Sequence, residues 1–382
     1  MFHNYKSFYL TLFQSPIKID ELTEKHFPDY TLFNNNLNLS IQPSIISSST
    51  RQIVIYNKGK VFEIISPFSP PHLNIVHYSQ IKSREFFDTI TFSDYIFNYS
   101  SYAFANSKCS TPFLIELPPS QSFPLDIFVE NNLIDESINI TKKTFVGKPN
   151  SLYNITEKFI ASNVSIFACD YILSDATSMK VLIDLGNIHT PGTSFNFVCV
   201  LSKNSRLNFE LLGMGSGKIY INIYAIIKGE GAECKITGVS VAKKTDEITC
   251  ITYINHRAPQ NNSFIHINNV LFEKARSFFL GLIRVEKNGF EIDAREINKN
   301  LVLSKDARCF SIPKLEIENN NLKCSHSSSI SSIDEDILFY LNSRGIPQKV
   351  AKKLIATGFL IEPFQNDFYL PIVEKELNEI LE

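Results

Sequence analysis

The stretch LNFELLGMGSGKIYINI, residues 207–223, changes character at every second position. Leu207, Phe209 and Leu211 alternate with Asn208 and Glu210, and Ile219, Ile221 and Ile223 alternate with Tyr220 and Asn222. A period of two is that of a β-strand, whose successive side chains point to opposite faces. Gly213, Gly215 and Gly217 lie between the two runs. A glycine-rich segment placed here reads as a turn. A phosphate-cradling loop would need a helix after it and a Lys-Ser/Thr pair, and neither is present.

Outward from this stretch, strand-like runs fall at 180–184, 195–201, 233–241, 248–254, 264–267, 278–285 and 301–303, with turn residues such as Asn288-Gly289 between them. Strands spaced about a dozen residues apart indicate a sandwich, a barrel or a β-solenoid. No crisp internal repeat separates the three. Towards the N-terminus, 53–56 and 60–65 read as strands. Residues before about 40 read as helical, and 82–106 carry Phe86, Phe87, Ile90 and Phe97 at loosely helical spacing.

The period changes again after residue 330. Ser332 and Glu335 have the spacing of a capping box, in which a hydroxyl and a carboxylate satisfy end N–H groups. Ile333, Ile337, Leu338 and Leu341 then form an apolar stripe. Gly345 is placed to end this helix in the left-handed conformation, Pro347 to start the next, and Gly358 to end that one. Residues 371–382 read as a last helix with Val373, Leu377, Ile380 and Leu381 on one side. The chain thus divides into an N-terminal helical region (1–45), a β core (46–329) and a C-terminal helical subdomain (330–382).

With 382 residues the chain is ample for a large core. Hydrophobic residues at 44%, charged residues at 20% and a formal charge of -2 give no basic field for nucleic acid. No run nears the roughly 20 apolar residues that span a bilayer, and the apolar stretch at 8–13 is too short for a secretion signal. Seven scattered cysteines without a Cys-x-x-Cys suit a reduced, cytoplasmic setting in which most are small buried hydrophobes.

Cys324 and His326 are two apart. On a strand they project from one face, so a soft sulfur and an imidazole nitrogen point at one spot, which suits a thiophilic metal or an iron–sulfur species. Two ligands do not complete a site, and another chain is expected to supply the rest. From the residues alone, a packed cysteine beside an ordinary polar histidine is the better account, since a lone Cys-x-His is a weak signal. His256 and Ser263 have no oriented acid or elbow motif to make them a nucleophile pair. His189 and His266 are isolated.

Several ordered blocks together resemble the SufB/SufD family, the scaffold subunits of the SUF iron–sulfur cluster assembly machinery. They are GEGAECKITGV (229–239), His256 with Ser263, IDAREINKNLVLS (292–304), IPKLEI (312–317), LKCSH (322–326), FYLNSRGI (339–346) and AKKLIATGF (351–359). Cys-Ser-His is similar to the SufD branch, where SufB usually carries Glu-His-Glu; Ser327 stands where the family commonly has glycine.

The resemblance implies a mainly β fold, a right-handed parallel β-helix with a small N-terminal helical region and a C-terminal helical subdomain. It implies a non-catalytic scaffold that pairs with a SufB-like subunit through strand edges and with a SufC-like ATPase through the C-terminal helices. Tyr340, Ser343, Arg344 and Leu354 would contact partners, and Gly345 and Gly358 would be structural. Iron or a nascent cluster would be shared at the interface, with His326 and, less directly, Cys324 as ligands, and none held stably by the isolated chain. A homodimer is the alternative when the chain is alone. The rival functions are a SufB-like cluster holder and a carbohydrate-active β-helix enzyme; the latter needs convergent carboxylates or a calcium site on one solenoid face.

Overall fold

A computed structural model describes residues 39–42, 52–57, 62–65, 74–77, 109, 112–133, 138–364 and 367–381. The helices expected before residue 40 and within 82–106 fall outside the described residues. Inside the region read as helical, β1 (Leu39–Gln42) is a strand: its Leu-Ser-Ile-Gln alternation pairs in parallel with Phe62–Ile65.

The strands wind as a two-faced solenoid. Four short strands come first: β1, β2 (Gln52–Asn57), β3 (Phe62–Ile65) and β4 (Asn74–His77), followed by β5 (Phe113–Glu116). The regular turns then run β6 (Leu125–Leu133) with β7 (Ile138–Gly147), and β8 (Leu152–Ala161) with β9 (Val164–Leu173). The long β10 (Ser178–Leu201) bends between the faces and supplies both halves of the next turn. After it come β11 (Arg206–Gly213) with β12 (Ser216–Ile227), β13 (Glu233–Ala242) with β14 (Glu247–His256), β15 (Asn262–Leu271) with β16 (Arg276–Val285), and β17 (Ile292–Val302) with β18 (Arg308–Ile317). Finally β19 (Leu322–Ser331) adds a half-turn.

One face (A) stacks β6, β8, β10, β11, β13, β15, β17 and β19 in parallel. The other (B) stacks β7, β9, β10, β12, β14, β16 and β18. The alternation read at 207–223 therefore belongs to two successive strands on opposite faces, with the glycine segment as the corner. Gly217 has φ +101, and a Cβ there would lie 1.8 Å from the Thr190 carbonyl oxygen, so only glycine makes this corner.

In-register stacking turns each inward position into a row along the axis. One row on face A reads Ile53, Ile127, Ile155, Val181, Phe209, Ile236 and Ile265, all buried. Phe159, Phe167, Phe195, Phe197 and Phe209 fill the middle turns, with Phe167 and Phe195 stacked at 5.0 Å. Continuous apolar rows and a full parallel ladder on both sides of each inner strand leave few backbone groups unpaired.

The C-terminal elements are α1 (Glu335–Ser343), α2 (Gln348–Ile361) and α3 (Leu370–Leu381), with short 3-10 turns at Glu362–Phe364 and Asp367–Tyr369. The N-cap of α1 is Asp334, whose carboxylate accepts from the Asp336 N–H at 2.8 Å; this replaces the expected Ser332 cap. An aspartate directly before the helix is as good a cap as serine and sits nearer the first free N–H groups. Gly345 takes φ +83, as expected. Gly358 does not end α2, which runs on to Ile361; nothing lies within 4 Å of its Cβ position, so the helix tolerates it at a propensity cost of about 1 kcal/mol.

The helices lie along the outer side of face A. Ala356, Leu360, Phe364, Tyr369, Val373 and Leu377 pack on Leu212, Val239, Val241, Val270 and Leu301. Charged clasps reinforce the seam. Lys299 Nζ meets Glu362 Oε1 at 2.5 Å, Lys243 Nζ meets Glu376 Oε1 at 2.9 Å, and Asn268 donates to the Phe359 carbonyl at 2.7 Å. The α1 stripe is only half used: Leu338 is buried, but Ile337 is exposed.

Candidate functional site

Because the helices run along a side, they leave the end of the solenoid open. Among the described residues, strand β19 pairs only with β17, and β18 only with β16. Both terminal strands keep one free edge, which is a template for another chain's strands. The inward rows of the solenoid end here. On face A, Cys234, Ser263 and Ala294 are followed by Cys324, and Ile236, Ile265 and Glu296 by His326. On face B, Cys250 and Phe279 are followed by Ser311.

The two sequence-predicted ligands differ in environment. His326 is exposed on β19. Cys324 is half-buried and packs with Leu322 and Leu315 against the core. Burial, then the Asp293 carboxylate, pushes its thiol up, so it is a poorer thiolate donor than an exposed cysteine. Cys309, also half-buried at the end of face B, has its thiol raised by burial. The other five cysteines are buried and none forms a disulfide. Among the described residues no three His, Cys, Asp or Glu side chains converge on one metal-sized spot. An imidazole at the mouth and a thiol in the adjacent row are two donor groups of the kinds that bind a borderline or soft divalent cation.

Beside this end, the α1–α2 hairpin exposes Phe339 (75%), Tyr340 (55%) and Leu354 (51%), with Ile337 and Val350. Arg344 stacks its guanidinium over the Tyr340 ring at 5.2 Å, and Ser343 Oγ donates to the Tyr340 carbonyl at 2.7 Å. Tyr340, Ser343 and Arg344 thus form one rigid corner around Gly345, with Leu354 on the next helix.

His256 and Ser263 do meet: Nε2 and Oγ are 2.9 Å apart, buried inside the solenoid. Nδ1 has no partner to orient the ring, and burial holds the imidazole neutral down to about 4. They make a core hydrogen bond with no third member. His189 bonds Ser216 Oγ at 2.8 Å, and His266 lies on the outer side of face A near Glu362.

Sequence reading passed over Glu296. It is 1% exposed, and neither carboxylate oxygen has a partner. Burial raises its pKa to about 8. The signal was present, since a charged residue on the inward phase of Ala294–Glu296–Asn298–Asn300 departs from an apolar row, but it needs the register to be seen.

Residues 185–359, which hold most of the solenoid, its open end and the α1–α2 hairpin, match the family model described as "SUF system FeS cluster assembly, SufBD core domain". That stretch carries a SufBD core domain. The chain is SufD-like: it is 30% identical over 149 residues to the iron-sulfur cluster assembly protein SufD of Escherichia coli, covering 39% of this chain and 35% of that protein. It is 28% identical over 182 residues to the SufD of Bacillus subtilis, covering 47% of this chain and 41% of the relative. A SufB of Bacillus subtilis is 28% identical over 142 residues, covering 37% and 30%. The likeness thus spans well under half the length of these relatives. The stretch matched by the family model includes Cys324 and His326, and a SufBD core is here a solenoid whose last rungs are solvent-facing.

Proposed function

We propose that this chain is a non-catalytic scaffold subunit of a SUF-type iron–sulfur cluster assembly complex, working in the cytoplasm. The observation that supports it most is the open solenoid end, with His326 exposed on a strand that has no outer neighbour among the described residues. A SufB-like subunit would extend β18 and β19 by edge pairing. Iron, the cargo, would be gripped by His326 from this side and by the partner's residues from the other, with Cys324 in support. In this reading residues 46–329 are the pairing body and 330–382 dock a SufC-like ATPase through Tyr340, Ser343, Arg344 and Leu354.

An exposed aromatic–aliphatic corner braced by an arginine has the composition of an interface anchor. Its continuity with face A, through the packing of α2 on β13 and β15, gives a path by which the ATPase could move the solenoid.

Co-expression with a SufB-like scaffold and a SufC-like ATPase, followed by sizing, tests this. The expected result is one complex containing all three. Leu354→Glu, an exposed change that leaves the fold intact, should release the ATPase and keep the scaffold pair. A chain that elutes only as a homodimer in the presence of both would refute the heteromeric reading.

A further inference from the structure

Two glutamates project into the solenoid from face A, and the fold treats them in opposite ways. Glu157 is fully provided for: Lys143 and Tyr171 contact it closely, Asn131 Nδ2 donates at 3.1 Å, and Cys169 Sγ lies 3.2 Å away. Glu296, in the last complete turn, has nothing on either oxygen. Polar partners are not lacking there. On the same strand and phase, Asn298 donates to the Ile267 carbonyl at 3.0 Å, and Asn300 donates to Asn298 Oδ1 at 2.8 Å and to the Ser329 carbonyl at 3.2 Å. A carboxyl left bare carries a larger cost than an unpaired hydroxyl, one that folded proteins seldom accept without a use.

The fold also makes room for it. Across the interior, Gly281 on face B lacks the side chain its neighbours carry, and a Cβ built there would lie 1.2 Å from Glu296 Oε1. Behind Glu296 in its row stands Ile265; ahead stands His326, one rung nearer the mouth. Successive rungs lie about 4.8 Å apart, so two flexible side chains of one row can converge on a single ion.

We propose that Glu296 is an internal ligand for the cation taken up at the solenoid's end, turning its carboxylate from Gly281 towards the mouth to meet the ion beside His326. This rests on the reading of His326 as an iron ligand. The set of one carboxylate and one imidazole, with the Cys324 thiol in the adjacent row, suits a borderline divalent cation such as ferrous iron. An inner carboxylate would let this chain hold the ion before the partner's residues close over it.

Cobalt(II) titration of the 382-residue chain, followed by visible absorption, tests the assignment. The probes are the wild type, E296Q, Glu296→Met and His326→Ala, each checked for the wild-type far-UV dichroism. Glu296→Gln and Glu296→Met should each weaken cobalt binding at least about tenfold, and His326→Ala likewise. Wild-type affinity in both Glu296 variants, or no cobalt signal from the wild type, would overturn the proposal. If His326→Ala binds normally while the Glu296 variants do not, the internal carboxylate stands and the role given to His326 falls.

Discussion

His326→Ala is expected to leave the fold and the assembled complex unchanged and to cut its iron content and cluster yield by at least about tenfold, the scale on which metal sites respond to weaker perturbations than loss of a ligand. The first half follows from exposure. The residue is exposed, and surface substitutions of this kind change stability within about 0.5 kcal/mol. The second half follows from placement, since no other described histidine lies on β18 or β19. Cys324→Ala should do less to iron and more to stability, because its half-buried thiol is held neutral and packs on the core. Iron analysis of purified complexes decides it: undiminished iron in the His326 variant would remove the ligand role.

Glu296→Met should stabilise the isolated chain, and more so at alkaline pH. A folded-state pKa of about 8, against an ordinary 4.5, means the folded chain holds a proton that the unfolded chain has lost. The stability associated with that proton is present in full below about pH 4.5. It declines as pH rises, and is gone above about 8. At about 1.36 kcal/mol per pKa unit, discounted for relaxation of the site, the difference between pH 5 and pH 9 is on the order of 3 kcal/mol. Methionine has the same reach without the charge. Denaturation midpoints across this range should fall for the wild type and stay flatter for Glu296→Met; parallel curves would show that the carboxyl is not buried and bare. The instability is intelligible if the carboxylate has work at the site, since binding groups are often kept at a cost in stability.

The strand alternation at 207–223 was legible because each strand keeps one apolar phase. The solenoid itself was not legible from the residues, and the reason lies in its corners. Asn150, Ala176, Asn204, Gly231, Gln260 and Glu291 take the same left-handed conformation once per turn, with φ between +52 and +70. The repeat exists in the backbone but is filled by five residue types, so no motif recurs. Non-glycine residues accept this conformation at about 1 kcal/mol each, which the ladders on either side offset. Resemblance supplied what periodicity lacked.

At the C-terminus the helix phases were readable but their docking was not. Leu360, Val373 and Leu377 have no sequence mark that distinguishes the side of face A from the open end as their seat. The cap misassignment came from two candidates within three residues, Ser332 and Asp334. Cys324 and His326 were singled out by their spacing and by the resemblance, whereas Glu296 required knowing which rung precedes them.

Hydrogen exchange along 308–331 most directly tests whether the open end is an interface. In the chain alone, β19 is bonded on one edge only, and its outward amides should exchange fast. In the co-purified complex with a SufB-like subunit, amides of β18 and β19 should slow markedly, while β8 and β9 in the solenoid body stay as they were. Equal exchange of β18 and β19 in the two states, with protection appearing elsewhere, would contradict the account.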